Sequence, residues 1–406
     1  MKKNAFDTLQ ERGFIHSVSH EKELREALGK GPVTFYLGID PTADNLHIGH
    51  FFALQVFKIL QDHGHKGILL IGNATAMVGD PSGKSDMRKM MTQEEVDNNA
   101  REINVILHRF IDVKTARIVH NADWTRGYDF IDFARNICTY FNLAEMFSKD
   151  CYKNRLGTGL TLLEILYMPM QANDFLHLNN TYGCTLQIGG SDQWSNILAG
   201  VELGRKVSFA NDKPRPLMIG MCNPLLTKAD GTKMGKTEKG VLWVSRDKTS
   251  TYDCYQHFLN VYDEDVEQLL RFFTMLPIDD IKKMCKDNIV EAKKTMALAV
   301  TEKIHGETEA QQAQATAQSL FTKTTAGGRP DDVPTETIKI ERGANIVELL
   351  ALTSIIQSKR QARELVEAGA ILVDGEKITD TAACVDKNKT EFLIKKGKKT
   401  FLRVTI

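Results

Sequence analysis

Two histidines three residues apart give the sharpest chemical signal in this sequence. They belong to His47-Ile48-Gly49-His50, which follows a β-rich segment and opens a helical apolar pattern. At that spacing both side chains lie on one face of a helix, at the end where free backbone N–H groups and the helix dipole favour anions. Gly49 has no side chain, so a flat ring or a phosphate could lie against the backbone. The plainer alternative is a surface helix capped by two histidines. A zinc site is excluded because further ligands with suitable spacing are missing.

A second signal is the short basic segment Lys233-Met234-Gly235-Lys236-Thr237, which follows Ala229-Asp230-Gly231. An Asp-Gly pair followed by small and basic residues predicts a mobile loop. Two lysines at positions i and i+3 can hold a polyphosphate as paired point charges. Taken alone, such a segment is more often a solvated basic loop than part of an active site.

A third segment, from Gly79 to Ser85, is similar to a phosphate-binding P-loop but departs from it in spacing. Only three residues separate Gly79 from Gly83, where the P-loop requires four. The segment also lacks the usual position directly between a strand and a long helix. We therefore exclude a P-loop.

The bulk composition predicts a soluble protein of several domains. The chain has 406 residues, which suggests two or three domains, and its 42% hydrophobic and 26% charged residues are typical of globular proteins. Its 52 basic residues balance 52 acidic ones, so any nucleic-acid binding would depend on a local patch. Seven scattered cysteines without a C-x-x-C pair argue against a disulfide framework, and we find no secretory signal or membrane-spanning apolar run. We expect a cytoplasmic protein that does not bind membranes.

The first part of the chain alternates between strand-like and helix-like patterns. Apolar runs typical of strands buried on both faces occur at 33–39, 68–71, 116–119 and 185–188, and helical patterns occur at 48–61 and 98–111. Such alternation predicts an α/β fold in which helices cover a Rossmann-like parallel sheet. Ligands of such folds gather at the carboxyl ends of the strands, where the loops carry the glycines.

The rest of the chain changes character twice. Residues 251–321 have helical patterns throughout, residues 324–336 are rich in Gly and Pro with few large apolar residues, and from 338 two short helical patterns precede several short strands. We predict a Rossmann-like catalytic domain over 1–247, a small helical domain over 248–323, a linker over 324–337 and a small α+β domain over 338–406.

Together, the histidine and lysine segments resemble the two signatures of class I aminoacyl-tRNA synthetases, HIGH and KMSKS. Here the second is KMGKT: Gly235 and Thr237 replace the two serines, and both lysines remain. Residues 36–50 resemble the YxGxDPTAxxLHIGH block of the bacterial-type tyrosyl-tRNA synthetases. YMPMQANDFL (167–176), QIGGSDQWSN (187–196) and the GDPSG segment (79–83) resemble further blocks of that family, and the resemblance covers nearly the whole chain.

The resemblance implies a role for each residue that matches a block of the family. For tyrosine, Tyr36 and Asp174 would bind the phenolic hydroxyl, Tyr167, Gln171 and Asp80 would bind the α-ammonium group, and Gln193 would lie near the carboxylate. A buried carboxylate that phenylalanine leaves without a partner would be costly, which fits selection for tyrosine. For ATP, the implied residues are Gly38, Asp40, Gly49, Gly190, Asp192, Lys84, Arg88 and Lys236. Among them Asp192 would bind the ribose, and Gly38 and Gly190, with Gly189, would allow close backbone approach.

The implied reaction is in-line attack by the tyrosine carboxylate on the α-phosphorus of ATP-Mg²⁺, followed by transfer of tyrosine to the 3′-terminal adenosine of its tRNA. The carboxylate is already ionised at neutral pH and needs no general base, so catalysis would depend on positioning and on stabilising phosphate charge. The implied catalytic residues are Thr42, His47, His50, Lys233 and Lys236. ATP would be a substrate that enters with Mg²⁺, with no tightly bound metal or organic cofactor, and the family implies a homodimer.

The C-terminal region is more basic than the rest of the chain. From Ala344 onward it holds 11 Lys and Arg against 8 Asp and Glu, and Lys359, Arg360 and Arg363 crowd one short helix. With the segment from Gly369 to Gly375, the region resembles a small RNA-binding module that is shared with a ribosomal protein and pseudouridine synthases. We expect these three residues to bind tRNA. A solvated basic tail is the alternative, but it does not explain the apolar pattern.

Three other functions have to be weighed against tyrosine activation. A small-metabolite nucleotidyltransferase uses related HxGH chemistry, but the amino-acid blocks and the C-terminal module argue against it. A tryptophanyl synthetase shares the fold, whereas Asp174 and the C-terminal domain favour tyrosine. A catalytically inactive RNA-binding relative is disfavoured because His47, His50, Lys233, Lys236 and Asp192 are all present.

Overall fold

The structure, a computed structural model, describes residues 4–82, 90–153, 155–157, 159–212, 214–237, 240–321, 335–397 and 400–406. These residues form two compact units. The first unit comprises Met1–Lys248 and Asn260–Met296, and the second comprises Thr249–Leu259 and Ala297–Ile406. The predicted site residues Lys84 and Arg88 lie outside the described residues, as does the predicted linker up to residue 334.

A six-stranded sheet forms the centre of the first unit. In chain order the strands of this unit are β1 (Ser17–Val18), β2 (Thr34–Ile39), β3 (Lys66–Ile71), β4 (Ala116–His120), β5 (Leu186–Gly190), β6 (Ile219–Asn223), β7 (Lys236–Thr237) and β8 (Gly240–Val241). The sheet has the order β1-β6-β5-β2-β3-β4, and all neighbours are parallel except β1 and β6; β7 and β8 pair separately. The predicted α/β fold with a parallel sheet is confirmed.

The order of the strands creates a crevice between β2 and β5. From β2 the chain adds β3 and β4 on one side, and it later places β5 and β6 on the other side. At such a reversal the loops that follow the two strands diverge, and open α/β sheets bind ligands there. Tyr36 of β2 lies opposite Gln187 of β5 in this register. The sequence blocks that follow the two strands therefore meet at one edge of the sheet.

Helices surround this sheet. In the first unit they are α1 (Ala5–Arg12), α2 (Glu21–Lys30), α3 (Ile48–Asp62), α4 (Gln93–Leu107), α5 (Ala122–Thr125), α6 (Phe130–Asn136), α7 (Leu143–Ser148), α8 (Asp150–Lys153), α9 (Leu162–Tyr182) and α10 (Trp194–Ala210). The helix predicted at 98–111 is α4, which begins earlier because Thr92 and Glu95 form a capping box. The strands β1 and β6 were not predicted from the sequence.

The long helix α9 carries three of the predicted tyrosine-binding residues. Tyr167, Gln171 and Asp174 are spaced by four and three residues, which places them on one face. The same helix contains Pro169, which has no N–H to donate to the carbonyl of Ile165. The hydroxyl of the buried Tyr152 donates to that carbonyl instead, at 3.0 Å. The proline is therefore accommodated without an unpaired carbonyl at this turn.

Helices also continue through the next part of the chain. They are α11 (Thr251–Leu259), α12 (Asp263–Phe273), α13 (Ile278–Asp287), α14 (Ile289–His305) and α15 (Glu307–Phe321). Of these, α12 and α13 belong to the first unit and α11 and α15 to the second, while α14 begins in the first and ends in the second. The division of the chain into four parts at 247, 323 and 337 stays a prediction.

The C-terminal part of the second unit has a sheet and an apolar core of its own. Its elements are β9 (Thr335–Thr337), α16 (Ile346–Ala351), α17 (Lys359–Glu367), β10 (Ile371–Val373), β11 (Glu376–Ile378), β12 (Glu391–Lys396) and β13 (Thr400–Thr405). The sheet order is β11-β10-β12-β13-β9. Ala362 and Val366 of α17 pack in the core beneath this sheet. The strand β9 lies at the end of the stretch whose composition predicted a linker.

None of the helices in the described residues combines the length and the apolar character that crossing a bilayer requires.

Candidate active site

A cavity of about 610 Å³ opens in the first unit at the carboxyl ends of β2 and β5. The structure brings most of the predicted site residues together around it. Those that line the cavity are Tyr36, Gly38, Asp40, Thr42, His47, Gly49, His50, Asp80, Tyr167, Gln171, Asp174, Gly190, Asp192, Gln193 and Lys233.

The two histidines cap the first turn of α3. Nδ1 of His47 accepts hydrogen bonds from the N–H groups of Gly49 at 3.1 Å and His50 at 3.3 Å, and Nδ1 of His50 accepts from the N–H of His47 at 3.3 Å. Their rings stack, with centroids 3.8 Å apart. Because each ring accepts through Nδ1, a neutral ring carries its proton on Nε2. Both side chains are thus fixed as Nε2–H donors.

Gly49 makes room for the ring of His47. A Cβ at position 49 would lie 2.9 Å from Cε1 of His47, closer than real Cβ contacts come. The sequence suggested that a ligand ring or a phosphate would lie against this glycine. In the structure the space beside it is used by the protein's own imidazole, which the glycine allows to fold back over the helix end.

Asp174 is held by two donors that the sequence analysis did not identify. Its Oδ2 accepts from Nδ2 of Asn121 at 2.9 Å, and its Oδ1 accepts from Nε1 of Trp124 at 2.8 Å. Burial raises the pKa of Asp174 to about 7, although these two hydrogen bonds lower it, and the nearby charge of Asp40 raises it further. The carboxylate is therefore oriented by the protein and poorly solvated, so a further donor in the cavity would stabilise its ionised form.

Several buried polar atoms around the cavity have no hydrogen-bond partner among the described residues. They are the hydroxyl of Tyr36 and the side-chain carbonyl oxygens of Asn45, Gln171 and Gln187, and all four residues line the cavity. Burial is the main cause that raises the pKa of Tyr36, and the charge of Asp174 adds to it. A buried polar atom without a partner is costly, so this clustering indicates a ligand with several polar groups.

Asp40 and Asp174 are joined by a chain of hydrogen bonds. Asn121 also donates to Oγ1 of Thr75 at 2.9 Å, and that hydroxyl donates to Oδ1 of Asp40 at 2.8 Å. The hydroxyl of Tyr167 donates to the other oxygen of Asp40, again at 2.8 Å. Two carboxylates that line the cavity are therefore connected through side chains that hold one another in place.

Asp80 lies in a second polar cluster. Nε2 of Gln193 donates to its Oδ2 at 2.6 Å, and the N–H of Ser82 donates to its Oδ1 at 2.9 Å. The buried Asn196 lies within hydrogen-bond reach of Asp80, Ser82 and Gln193, at 3.2 to 3.4 Å. Gln193 and Asp80 are thus hydrogen-bonded to each other, so an amide and a carboxylate line the cavity side by side.

Lys233 reaches the cavity from a small hairpin. Thr227 and Lys233 pair across it, Met234 N–H donates to the carbonyl of Leu226 at 2.9 Å, and the turn is tightened by Asp230, which accepts from Thr232 N–H at 2.8 Å. Burial raises the pKa of Asp192, and the positive charge of Lys233 partly offsets this. A cation and a carboxylate therefore share the side of the cavity that follows β5.

The remaining predicted residues lie elsewhere or are not described. Lys236 begins β7, whose backbone pairs with Val241, and its side chain is outside the described atoms. Lys359, Arg360 and Arg363 are exposed on α17 in the second unit, where Lys359 pairs with Glu348 at 3.0 Å and Arg360 with Glu364 at 2.9 Å. Within the described ranges we find no cluster of three His, Cys, Asp or Glu side chains that could hold a metal ion.

Sequence reasoning missed residues that orient others. Four side chains donate hydrogen bonds to the carboxylates of Asp174, Asp40 and Asp80, and they are those of Asn121, Trp124, Thr75 and Asn196. Gln187 also lines the cavity. A signal for Asn121 was available, because it follows β4 directly and the carboxyl ends of parallel strands share one edge of the sheet.

Two protein-family models together match most of the chain, and both describe tRNA synthetases. Residues 28–322 match the family model described as class I tRNA synthetases of the W and Y type. Residues 326–404 match a second model, described as the C-terminal domain of SYY-like tyrosine--tRNA ligases.

Full-length relatives and a solved structure agree with these matches. The chain is 46% identical over 412 residues to a tyrosine--tRNA ligase of Clostridium kluyveri and 44% identical over 415 residues to one of Clostridium botulinum, with 99% of each chain covered in both comparisons. It is also similar to a C-terminally truncated mitochondrial tyrosyl-tRNA synthetase of Aspergillus nidulans, with a TM-score of 0.69 and 29% identity. That match covers 79% of this chain and 95% of the other.

Proposed function

Because the chain belongs to the tyrosine--tRNA ligases of the class I tRNA synthetases, we propose that its cavity binds tyrosine at the Tyr36–Asp174 end and ATP at the His47–Lys233 end. The enzyme activates L-tyrosine with ATP, releases pyrophosphate and transfers tyrosine to its tRNA. Full-length similarity to tyrosine--tRNA ligases sets aside the nucleotidyltransferase and tryptophanyl alternatives.

The unpaired buried atoms are the observation that carries the assignment of the tyrosine site. The phenolic hydroxyl of tyrosine can donate to Asp174 and accept from the hydroxyl of Tyr36, which otherwise has no partner in the described residues. Phenylalanine would leave the hydroxyl of Tyr36 buried without a partner and would give the buried Asp174 no donor beyond Asn121 and Trp124. Tyrosyl-tRNA synthetases are the usual example of selectivity obtained in this way. The hydrogen bonds from Asn121 and Trp124 orient the carboxylate of Asp174, which supports this position for the hydroxyl.

The α-ammonium group of tyrosine would lie among hydrogen-bond acceptors. The side-chain oxygen of Gln171 has no partner in the described part of the chain, the hydroxyl oxygen of Tyr167 can accept because its proton goes to Asp40, and Asp80 is a carboxylate. These three suit an ammonium group. Gln193, which is hydrogen-bonded to Asp80, would then lie near the tyrosine carboxylate that attacks ATP.

We assign the hydrogen-bond donors and cations that line the cavity to the phosphates of ATP. His47 and His50 present Nε2–H groups, Thr42 lines the same wall, and Lys233 approaches from its hairpin. These groups would stabilise negative charge that grows on the phosphate oxygens as pyrophosphate leaves, with Lys236 acting from the same segment. Asp40, Gly38 and Gly49 would contact ATP beside them, and Asp192 with Gly190 would bind the ribose.

ATP would enter as its Mg²⁺ complex, and Lys84 and Arg88 would act on its phosphates. For tRNA we propose contacts from Lys359, Arg360 and Arg363, because they are exposed on a helix whose other face packs in the C-terminal core. We also propose that the enzyme works in the cytoplasm, where charged tRNA is used.

A homodimer is supported by exposed apolar side chains in one stretch of the first unit. Phe130, Ile131, Leu143, Leu156 and Leu162 are all large, apolar and between 51% and 72% exposed. Single exposed apolar side chains are normal on a protein surface, but this many within some thirty residues are typical of protein interfaces.

Tyrosine-dependent exchange of pyrophosphate into ATP tests these site assignments. With all twenty amino acids supplied one by one, only tyrosine should support exchange. Lys233→Ala should slow adenylate formation by about 10- to 100-fold, since it loses charge stabilisation in the transition state, and leave tyrosine binding without ATP unchanged. Lys228→Ala, on the same hairpin but not at the cavity, is the matched control. Weaker tyrosine binding with an unchanged forward rate would refute the role of Lys233.

A further inference from the structure

A short backbone segment connects the histidine motif with the lysine motif. The N–H of Leu242 donates to the carbonyl of Gly235 at 2.7 Å, and the carbonyl of Leu242 accepts from the N–H of Ile48 at 3.1 Å. The N–H of Val244 donates to the carbonyl of Leu46 at 2.9 Å, and His47 pairs with Trp243. Leu242 is therefore hydrogen-bonded to both motifs at once, through its backbone N–H and carbonyl groups.

The same two motifs also touch directly, at a glycine. Gly235 has φ +92, a conformation that disfavours residues with a Cβ. A Cβ at this position would lie 2.3 Å from Cγ2 of Ile48, whereas an ordinary contact is at 3.4 Å or more. Ile48 is buried at 2% exposure, and its Cγ2 can move only by rotation about χ1, which is strongly restricted for a β-branched residue in a helix. The lysine segment would have to move by about 1 Å, which matches the contact deficit.

We propose that Gly235 is a positioning residue: it lets the lysine segment seat on Ile48 and so sets the distance between Lys233 and the histidine donors. The proposal rests on the phosphate-binding role proposed for Lys233. Although glycine replaces a serine of the KMSKS signature, it is required here because no larger residue fits between Ile48 and the bond to Leu242. The histidine motif thereby serves as the seat for the lysine motif, in addition to contacting ATP.

The chain offers a matched control for this proposal. Gly231, at the turn of the hairpin that carries Lys233, also has a positive φ, at +80, but a Cβ there would meet nothing within 4 Å. Alanine at either position introduces the same kind of backbone strain. Only alanine at position 235 also meets Ile48, so the difference between the two variants isolates the seating contact.

The experiment measures the single-turnover rate of tyrosyl-adenylate formation, the dissociation constant of tyrosine without ATP, and the melting temperature. Gly235→Ala should lower the rate by about 10- to 100-fold, as expected for a displacement near 1 Å, with tyrosine binding unchanged. Gly231→Ala should stay within about threefold of the wild-type rate, since the expected strain leaves Lys233 in place. Equal effects of the two variants would overturn the proposal.

A double-mutant cycle with Ile48→Leu separates seating from a general defect, because leucine has no methyl branch on Cβ. Gly235→Ala should cost at least about fivefold less in the Ile48→Leu background than with Ile48 present, if the methyl contact is the cause. The same cost in both backgrounds would overturn the proposal. Lys233→Ala, measured alongside, separates the positioning role of Gly235 from the phosphate-binding role of Lys233. If Lys233→Ala is slow and Gly235→Ala has the wild-type rate, only the positioning role is refuted. A normal Lys233→Ala refutes the phosphate-binding role on which it rests.

Discussion

The affinity for tyrosine should depend on pH through Asp174. Burial raises the pKa of this carboxyl to about 7 in the free protein. The ionised group accepts from Asn121 and from Trp124, and in the proposed complex it would also accept from the phenolic hydroxyl of tyrosine. A protonated group would have to turn its own O–H toward one of these donors, so tyrosine selects the ionised form. Lowering the pH through 7 should therefore weaken binding, and raising it further should have little effect.

The size of the effect follows from the fraction of Asp174 that is ionised. With a pKa of about 7, roughly one molecule in eleven is ionised at pH 6, so the dissociation constant of tyrosine should be about 11-fold higher there than on the alkaline plateau. At pH 8 the same relation gives a change of only about 10%. Binding at pH 6 should also release about 0.9 proton per tyrosine bound.

Isothermal titration calorimetry without ATP measures both quantities. Titrations between pH 5.5 and 8.5 give the affinity, and titrations at pH 6 in buffers of different ionisation enthalpy give the protons released. Asp174→Asn is the control, because its amide does not titrate. Its affinity should be roughly 10- to 150-fold lower at pH 8, as for the loss of a charged acceptor worth about 1.5–3 kcal/mol, and flat with pH. A wild-type affinity that is equal at pH 6 and pH 8 would refute the argument, as would the same slope in Asp174→Asn.

Further expectations concern the hydroxyl pocket, the proposed dimer and the C-terminal region. Tyr36→Phe should weaken tyrosine binding by roughly 2- to 12-fold, since a neutral partner contributes about 0.5–1.5 kcal/mol; a loss as large as that of Asp174→Asn in the same titration would contradict the unequal roles. Phe130→Asp should give monomers in analytical ultracentrifugation while Leu352→Asp, an exposed apolar position in the second unit, should not; an unchanged dimer would place the interface elsewhere. A chain that ends at residue 334 should keep tyrosine-dependent pyrophosphate exchange but charge tRNA poorly at moderate salt. Full charging by that fragment would contradict RNA binding by the C-terminal cations.

Among the site residues assigned by resemblance to the family, some meet for a reason that the strands alone supply. Gly38 lies near the end of β2 and Asp40 follows it, while Gly190 ends β5 and Asp192 follows it, so a parallel sheet brings them to one edge. Residues that act only by contacting another side chain were not predictable in this way. Trp124 is the clearest case, because nothing in its neighbourhood in the sequence points to Asp174, 50 positions away.

The structure differs from the sequence-based expectation in two further places, again because of contacts between segments that are far apart in the chain. The sequence shows Gly235 only as a replacement for a serine of the signature, because its contact with Ile48 depends on how the chain returns to α3. Composition predicted a linker through residue 337, but Thr335–Thr337 pair with the edge of β13. Whether a short polar segment becomes a strand depends on the free edge it meets, and local composition does not contain that information.

The hydrogen bonds around Asp174 limit how the amino-acid preference of this enzyme can be re-engineered. A variant meant for an O-alkylated or apolar analogue of tyrosine would replace Asp174 with an uncharged residue. Asn121 and Trp124 would then keep their N–H groups pointed at a buried site without an acceptor. Asn121 cannot simply turn over, because its Oδ1 accepts from Ala74 N–H at 2.7 Å and its Nδ2 also donates to Thr75. A library that varies position 174 alone should therefore return mostly proteins that are less stable than the wild type, whereas one that varies positions 121, 124 and 174 together changes the donors along with their acceptor.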